Sequence, residues 1–287
     1  MTTYPGPEIP LSAARVAQAD PAAAPAGPPT APGDPPTLQP APMKIEAVIT
    51  CVNCADFLAH TLPMNKYQFD RIMVVTAPED KATPRVCDYW RVPWHATDAF
   101  QSRWGQFCKG KGINEGLDKL DKDGWICHMD ADIALPPNTR ECLERANLDP
   151  SMLYGIDRVE CKSYEAWQRF IGDPEPNVAG NGFMIHTTHS GFQWGTRVAF
   201  PHHGGYIPIG FFQLWHASSG VVRYIEGHDD AGREDSHFAT LWPRAKRGFI
   251  PEVIAYHLES EAAEMAVNWK GRKTKPFSID SVVPAKK

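Results

Sequence analysis

At 287 residues and 43% hydrophobic content, the chain can bury a full core and suits one large α/β domain. Its formal net charge of −5 argues against a protein that coats nucleic acid by bulk charge, while leaving room for a local basic patch. The seven cysteines, odd in number and scattered over expected core elements, read as free thiols in a reducing cytoplasm; with no apolar run of membrane-spanning length, a soluble protein is expected.

Residues 1–43 form a Pro/Ala-rich stretch, with 12 of the 27 prolines before residue 43, and offer too little apolar surface to fold; a disordered tail is expected there. Order is expected from residue 44. Ile45 to Val52 is a β-branched apolar run and so a buried strand, and Ala55 to Leu62 has helical spacing up to Pro63. A second strand, Arg71 to Thr76, closes in the turn Ala77-Pro78-Glu79-Asp80, which leads into a short helix through Arg85 to Tyr89. Strand followed by helix, repeated, predicts a parallel sheet.

Phe107 to Leu120 reads as a helix with Ile113, Leu117 and Leu120 on one face, followed by the strand Trp125 to Met129. That strand ends in Asp130-Ala131-Asp132. In an extended chain alternate side chains share a face, so both carboxylates are expected to point at one spot beyond the strand end. Like charges that close repel unless a cation joins them, and hard oxygen ligands suit Mg²⁺ or Mn²⁺ holding a phosphorylated ligand.

Further along, helices are expected at Arg140 to Ala146, Tyr164 to Ile171 and Glu234 to Trp242, and strands at Met152 to Ile156 and Ile250 to His257. Between them lie segments rich in Gly, His and aromatics: Gly180 to Phe183, His202 to Tyr206 and Gly210 to His216. These read as pocket-forming loops. Cys51-Val52-Asn53-Cys54 has redox spacing without redox context and reads as structural. His186, His189, His202 and His203 lack a zinc-site framework.

In this order, the pieces Ile45 to Asp56, Ile72 to Asp80, Lys109 to Gly116, His128 to Pro137, Arg233 to Phe238 and Ala255 to Leu258 resemble the glycosyltransferase-A fold of family 2-like glycosyltransferases. The resemblance spans residues 44–275. It implies an α/β, Rossmann-like, mostly parallel sheet flanked by helices, with 44–137 as the nucleotide-sugar half and 138–287 as the acceptor half of one catalytic domain. The implied reaction is metal-dependent transfer of a sugar from a nucleoside diphosphate to an acceptor hydroxyl, with inversion.

The resemblance makes Asp132 the main Mn²⁺ or Mg²⁺ ligand, Asp130 a shared ligand or ribose contact, and His257 a late metal ligand. It makes Asp235, with Glu234 beside it, the base, and puts donor contacts at Thr50, Val52, Thr76, Glu79, Asp80, Lys109, Asn114 and Arg272. More narrowly, Tyr206 to His216 and His257 to Glu261 resemble the TET-associated glycosyltransferases of phages and bacteria, which implies a hydroxymethylated pyrimidine in DNA as acceptor and a cytoplasmic setting.

Plainer readings stand beside these. Asp130 and Asp132 are also turn residues, His257 a strand-end histidine, and Glu234 and Asp235 helix-start charges. Lys109, Asn114 and Arg272 are also surface or tail groups. A glycan or small-molecule acceptor, a nucleotidyltransferase and a non-catalytic sugar- or nucleotide-binding module are the alternative functions. A nucleotidyltransferase commonly carries a Gly-rich basic loop after the first strand, where this chain has Cys51 to Asp56.

Overall fold

Alternation along the first strand sets the layering of the molecule. In the computed structural model, which describes residues 43–101, 107–161, 163–172, 183–185, 198–200, 205–226, 233–258 and 276–284, β1 (Ile45–Thr50) sends Ile45, Ala47 and Ile49 to one face and Val48 to the other. The first face packs against α1 (Ala55–Asn65) and α2 (Ala82–Trp90) through Leu58, Leu62, Val86 and Cys87. The second packs against α3 (Lys109–Leu117) through Ile113 and Leu117. Helices thus cover both faces, as a buried parallel sheet requires.

β2 (Arg71–Thr76), the short β3 (Trp94–Ala96) and β4 (Trp125–Asp130) join β1 in a parallel run of order β3-β2-β1-β4. After β4 come β5 (Ile133–Ala134), α4 (Thr139–Arg145), β6 (Leu153–Cys161), α5 (Tyr164–Gly172), β7 (Phe183–Ile185), β8 (Val198–Phe200), β9 (Gly205–Ile207), β10 (Phe212–His216), α6 (Glu234–Ala239) and β11 (Arg247–Leu258). The sheet continues from β4 through β10, β6 and β11 to β5, with β7 also on β6; β8 and β9 form a separate two-stranded ribbon. The expected class, an α/β Rossmann-like sheet flanked by helices, is the one observed. Its first half is wholly parallel. Its second half is mixed, because β10 runs antiparallel to both β4 and β6.

Three expectations need correction. Gly210 to His216 is not all loop: β10 lies in mid-sheet, with Phe212 and Leu214 buried on one face and Trp215 on the other. Its aromatics serve the core because both faces of this strand are covered. Helix α1 does not stop before Pro63 but runs to Asn65, whose amide donates to the Ile133 carbonyl (2.7 Å) and accepts from the Leu135 N–H (2.9 Å). That tertiary anchoring offsets the backbone bond Pro63 cannot make. Strand β6 does not end at Ile156 but continues to Cys161, carrying Asp157 and Arg158 inward, both buried.

Helix α3 is rich in glycine for a steric reason. A Cβ on Gly116 would lie 2.6 Å from side-chain atoms of both Val48 and Val75, so glycine lets the helix sit directly on the sheet. All seven cysteines are free, as expected, and Cys51 is buried with its sulfur 3.2 Å from the Thr83 hydroxyl. Among the described residues no helix is long and apolar enough to cross a membrane. The tail at 1–42, the histidines 186, 189, 202 and 203, and Arg272 lie outside the described residues.

Candidate active site

Parallel strands that start together end together, so Thr50, Thr76 and Asp130 mark one edge of the sheet. Thr50 is the register partner of Asp130 and of Val75. Thr50 and Thr76 are buried at this edge, and Val52 is half-buried just beyond it.

The two carboxylates that define the edge take different partners. Strand β4 ends at Asp130; Ala131 and Asp132 form a turn, which breaks the alternation expected to align them. Asp130 keeps the face it shares with His128 and α3, and its Oδ1 accepts a short hydrogen bond from the Lys109 ammonium. Asp132 turns toward β11, where Oδ2 is 3.4 Å from His257 Nε2, and the Leu258 N–H donates to the Asp132 carbonyl at 2.8 Å. Asp132 Oδ1 is buried and accepts no hydrogen bond among the described residues.

Electrostatics separates the pair. Burial raises the Asp130 carboxyl above the usual carboxylate range, with Lys109 opposing and Asp132 adding to the rise. At Asp132 burial acts the same way, but His257, Lys109 and Arg158 together hold the carboxyl below that range. Burial disfavours the charge on Lys109, yet Asp130, followed by Asp235 and Asp132, lifts its pKa above the ordinary lysine value. Arg158 also packs its guanidinium 4.7 Å from the centre of the Phe211 ring.

As donors for a hard cation, Asp132 and His257 are adjacent and Asp132 keeps one buried oxygen without a hydrogen bond among the described residues, whereas Oδ1 of Asp130 is taken by Lys109. No three His, Cys, Asp or Glu side chains among the described residues are grouped so as to hold a metal. Asp132 and His257 are thus two adjacent donors for a cation, short of such a group.

Helix α6 carries Glu234 and Asp235 to the same edge in different roles. Glu234 is buried, and its Oε2 accepts the Gly110 N–H of α3 at 2.6 Å. Asp235 is half-buried, with Oδ2 accepting from the Gly210 N–H (2.8 Å) and Oδ1 from the Ser236 N–H (2.6 Å). Beneath it, the buried Gln213 amide donates to the carbonyls of Pro208 (2.7 Å) and Asp235 (3.0 Å) and accepts a short bond from the Tyr224 hydroxyl. The Tyr224 ring stacks on Phe238, one turn along α6 from Asp235, at 3.9 Å and 3°. Burial, with Asp235 adding, pushes the Tyr224 hydroxyl well above its ordinary pKa, so it serves as a neutral donor.

Two of the expected donor contacts belong to the fold instead. Asp80 is buried and accepts from the N–H groups of Asn53 (2.8 Å), Ala82 (3.1 Å) and Thr83 (3.0 Å), and from the hydroxyls of Thr83 (2.7 Å) and Thr76 (3.3 Å). It starts α2 and ties it to the β1 end, leaving no lone pair for a nucleoside. Asn114 is buried and pairs with Tyr224 in both directions, donating to its carbonyl (3.0 Å) and accepting its N–H (2.8 Å), while also donating to Glu226 (2.8 Å). Glu79, by contrast, is exposed and accepts only the Gln101 amide, at 3.3 Å.

Sequence reasoning missed Arg158, Gln213 and Tyr224. Arg158 follows an apolar run that by composition alone is complete at Ile156, Gln213 sits inside an aromatic phrase, and Tyr224 lies in no regular element. Only Arg158 left a signal, as a charged pair directly behind a buried strand.

No family model and no curated protein matches the chain. Among solved structures it is similar to mannosyl-3-phosphoglycerate synthase from Rubrobacter xylanophilus, at 12% identity and a TM-score of 0.46, covering 79% of this chain and 69% of that one. It is also similar to the inositol-1-phosphate CTP transferase of T. maritima, at 10% identity and 0.42, covering 80% and 95%. A third is a 4-diphosphocytidyl-2C-methyl-D-erythritol synthase, at 17% identity and 0.39, covering 73% and 89%. At these values neither activity nor substrate passes from them to this chain.

Proposed function

We propose that the protein is a transferase that moves a sugar from a nucleoside diphosphate to an acceptor hydroxyl at the edge marked by Asp130 and Asp132. The observation that carries this reading is the convergence there of a lysine ammonium, an Asp132-His257 pair with an unused carboxylate oxygen, and a second carboxylate, Asp235, held by backbone N–H groups.

Each part has a chemical task. Cleaving the bond between sugar and diphosphate leaves negative charge on phosphate, which Lys109 offsets electrostatically. A divalent cation, which Asp132 and His257 would hold, would supply further Lewis-acid stabilisation of that leaving group when bound. Asp235 accepts the proton of the attacking hydroxyl, and its two backbone hydrogen bonds hold it in place. A base opposite the leaving group gives single displacement with inversion.

The acceptor in this reading is a 5-hydroxymethylpyrimidine in DNA, carried by the sequence resemblance. The test is incubation of the full chain and Mn²⁺ with a panel of nucleoside-diphosphate sugars and hydroxymethylated DNA, with mass spectrometry of the product. Glycosylated bases, lost in Asp132→Ala, support the proposal. Turnover onto a glycan or small molecule instead would remove the DNA acceptor alone. Pyrophosphate release from a nucleoside triphosphate would make the protein a nucleotidyltransferase, and donor binding without any turnover would make it a binding module.

A further inference from the structure

Helices α1 and α2 run back from the site edge to the opposite edge of the sheet, where β2 and β3 begin, and their last turns meet there. Lys66, which caps α1, donates to the Trp90 carbonyl at 3.4 Å. Its ammonium lies 5.0 Å from the centre of the Tyr67 ring and 5.4 Å from that of Trp90. Tyr89 meets Trp90 edge to face with ring centres 5.2 Å apart, and the Trp94 indole N–H donates to Asp88 at 3.0 Å. Tyr67, Tyr89 and Trp94 are the exposed aromatic side chains among the described residues, and Tyr67 is 71% exposed. A single exposed ring is ordinary; three around one ammonium form a surface.

Arg91 adds a second cation at a conformational cost. It follows α2 with φ 56° and ψ 42°, the left-handed region where glycine is the usual residue, and its side chain is exposed. Glycine would end the helix with less strain, so the fold itself supplies no reason for an arginine. Among the described residues neither Lys66 nor Arg91 pairs with a carboxylate, and the side chain of the adjacent Asp88 accepts from Trp94. Two uncompensated cations thus stand among exposed rings.

We propose that this surface is a docking platform for single-stranded DNA, on which bases stack on Tyr67 and Tyr89 while Lys66 and Arg91 meet phosphates. A single strand offers flat π faces and anions in alternation, which matches exposed rings set between cations. A duplex hides its base faces, and a proline-rich peptide would cover the rings but leave both cations unmatched. The net charge of −5 confines such binding to a local basic patch, which Lys66 and Arg91 supply. The choice of DNA over RNA rests on the acceptor reading above. Strand β1, six residues long, separates the platform from the site edge by roughly 20 Å. The platform therefore holds the strand flanking the acceptor base, not the base itself, and adds DNA affinity without touching the reacting atoms.

Fluorescence anisotropy of labelled oligo-dT titrated with the full chain, without metal or nucleotide sugar, tests this apart from turnover. The unaltered protein is expected to bind it with an affinity that falls as salt rises. Tyr67→Ala and Tyr89→Ala are each expected to weaken binding about fivefold or more at unchanged Tm, since both rings are exposed. Arg91→Gly, which suits the left-handed turn, is expected to keep or raise Tm, weaken binding, and reduce the slope of log affinity against log salt by about 0.7. Absence of oligo-dT binding by the unaltered protein, or unchanged affinity in Tyr67→Ala and Arg91→Gly, overturns the proposal. So does tighter binding of oligo-rU, or of a polyproline peptide whose binding is lost in Tyr67→Ala. If Tyr89→Ala lowers Tm, the other two variants decide. The transferase reading fails separately, by absence of turnover of any nucleoside-diphosphate sugar, and the anisotropy result stands without it.

Discussion

Glu234 Oε2 accepts the Gly110 N–H at 2.6 Å, so the acid beside the proposed base is spent on starting the helix that carries Lys109. Helix α3 has no side-chain cap of its own at Cys108, and Glu234 fills that role from α6. Glu234→Ala is therefore expected to lower the unfolding free energy by about 1–3 kcal/mol, the cost of an orphaned buried donor, as read from urea denaturation. Glu234→Gln keeps an acceptor and loses less. A Glu234→Gln protein of full stability but without transfer activity would move the base from Asp235 to Glu234.

Asp80 gives a sharper contrast between fold and chemistry. With five donors converging on it, Asp80→Ala is expected to cost about 3–5 kcal/mol or prevent folding, because buried N–H groups at the start of α2 lose their acceptor together. Asp80→Asn keeps one carbonyl oxygen and is expected to fold with a lowered Tm and unchanged affinity for a nucleoside diphosphate. A selective loss of nucleotide affinity at unchanged Tm would return Asp80 to the donor site.

These two residues show what the sequence could and could not reveal. Strand β4 and its terminal aspartate were legible because an unbroken apolar run has one reading in a doubly covered sheet, and α2 was legible from its turn. The destinations of Asp80, Asn114 and Glu234 were not. Each has a partner in a backbone group far along the chain, Gly110 for Glu234, the Tyr224 backbone for Asn114 and Asn53 for Asp80, although the other donors to Asp80, from Thr76, Ala82 and Thr83, are local. Spacing carries no record of such pairings. Strand β10 was misread for a related reason, since Phe212 to His216 lacks polar alternation only because both of its faces are buried.

Gly210 is where backbone geometry and the proposed base meet. A Cβ there would lie 2.6 Å from Asp235 Cβ and 3.0 Å from Oδ2, so Gly210→Ala has to push the carboxylate off the Gly210 N–H. If Asp235 is the base, a shift of that size is expected to cut kcat about 100-fold while KM for the donor stays near its original value. Gln213→Leu is expected to act the same way more weakly, by freeing the Pro208 and Asp235 carbonyls. Equal losses in kcat and donor affinity would instead place Asp235 at the donor.

The C-terminal segment 276–284 offers a pH test independent of the site. His60, on α1, is buried with Nε2 3.0 Å from the Ser278 carbonyl, and its ring meets Phe277 and Tyr164 edge to face. Burial holds its pKa below 6.5, against the opposing pull of the Ser278 carbonyl and Asp56. Between the folded pKa and 6.5 the unfolded chain therefore binds the extra proton, so this residue's contribution to stability is whole above 6.5 and falls as pH drops below it. Stability measured by urea denaturation from pH 7.5 to 5.5 is expected to decline in this window, and His60→Gln, which keeps a donor for Ser278 but cannot titrate, is expected to flatten part of the decline. An unchanged slope in His60→Gln would show that the packing of 276–284 on α1 does not depend on a neutral imidazole.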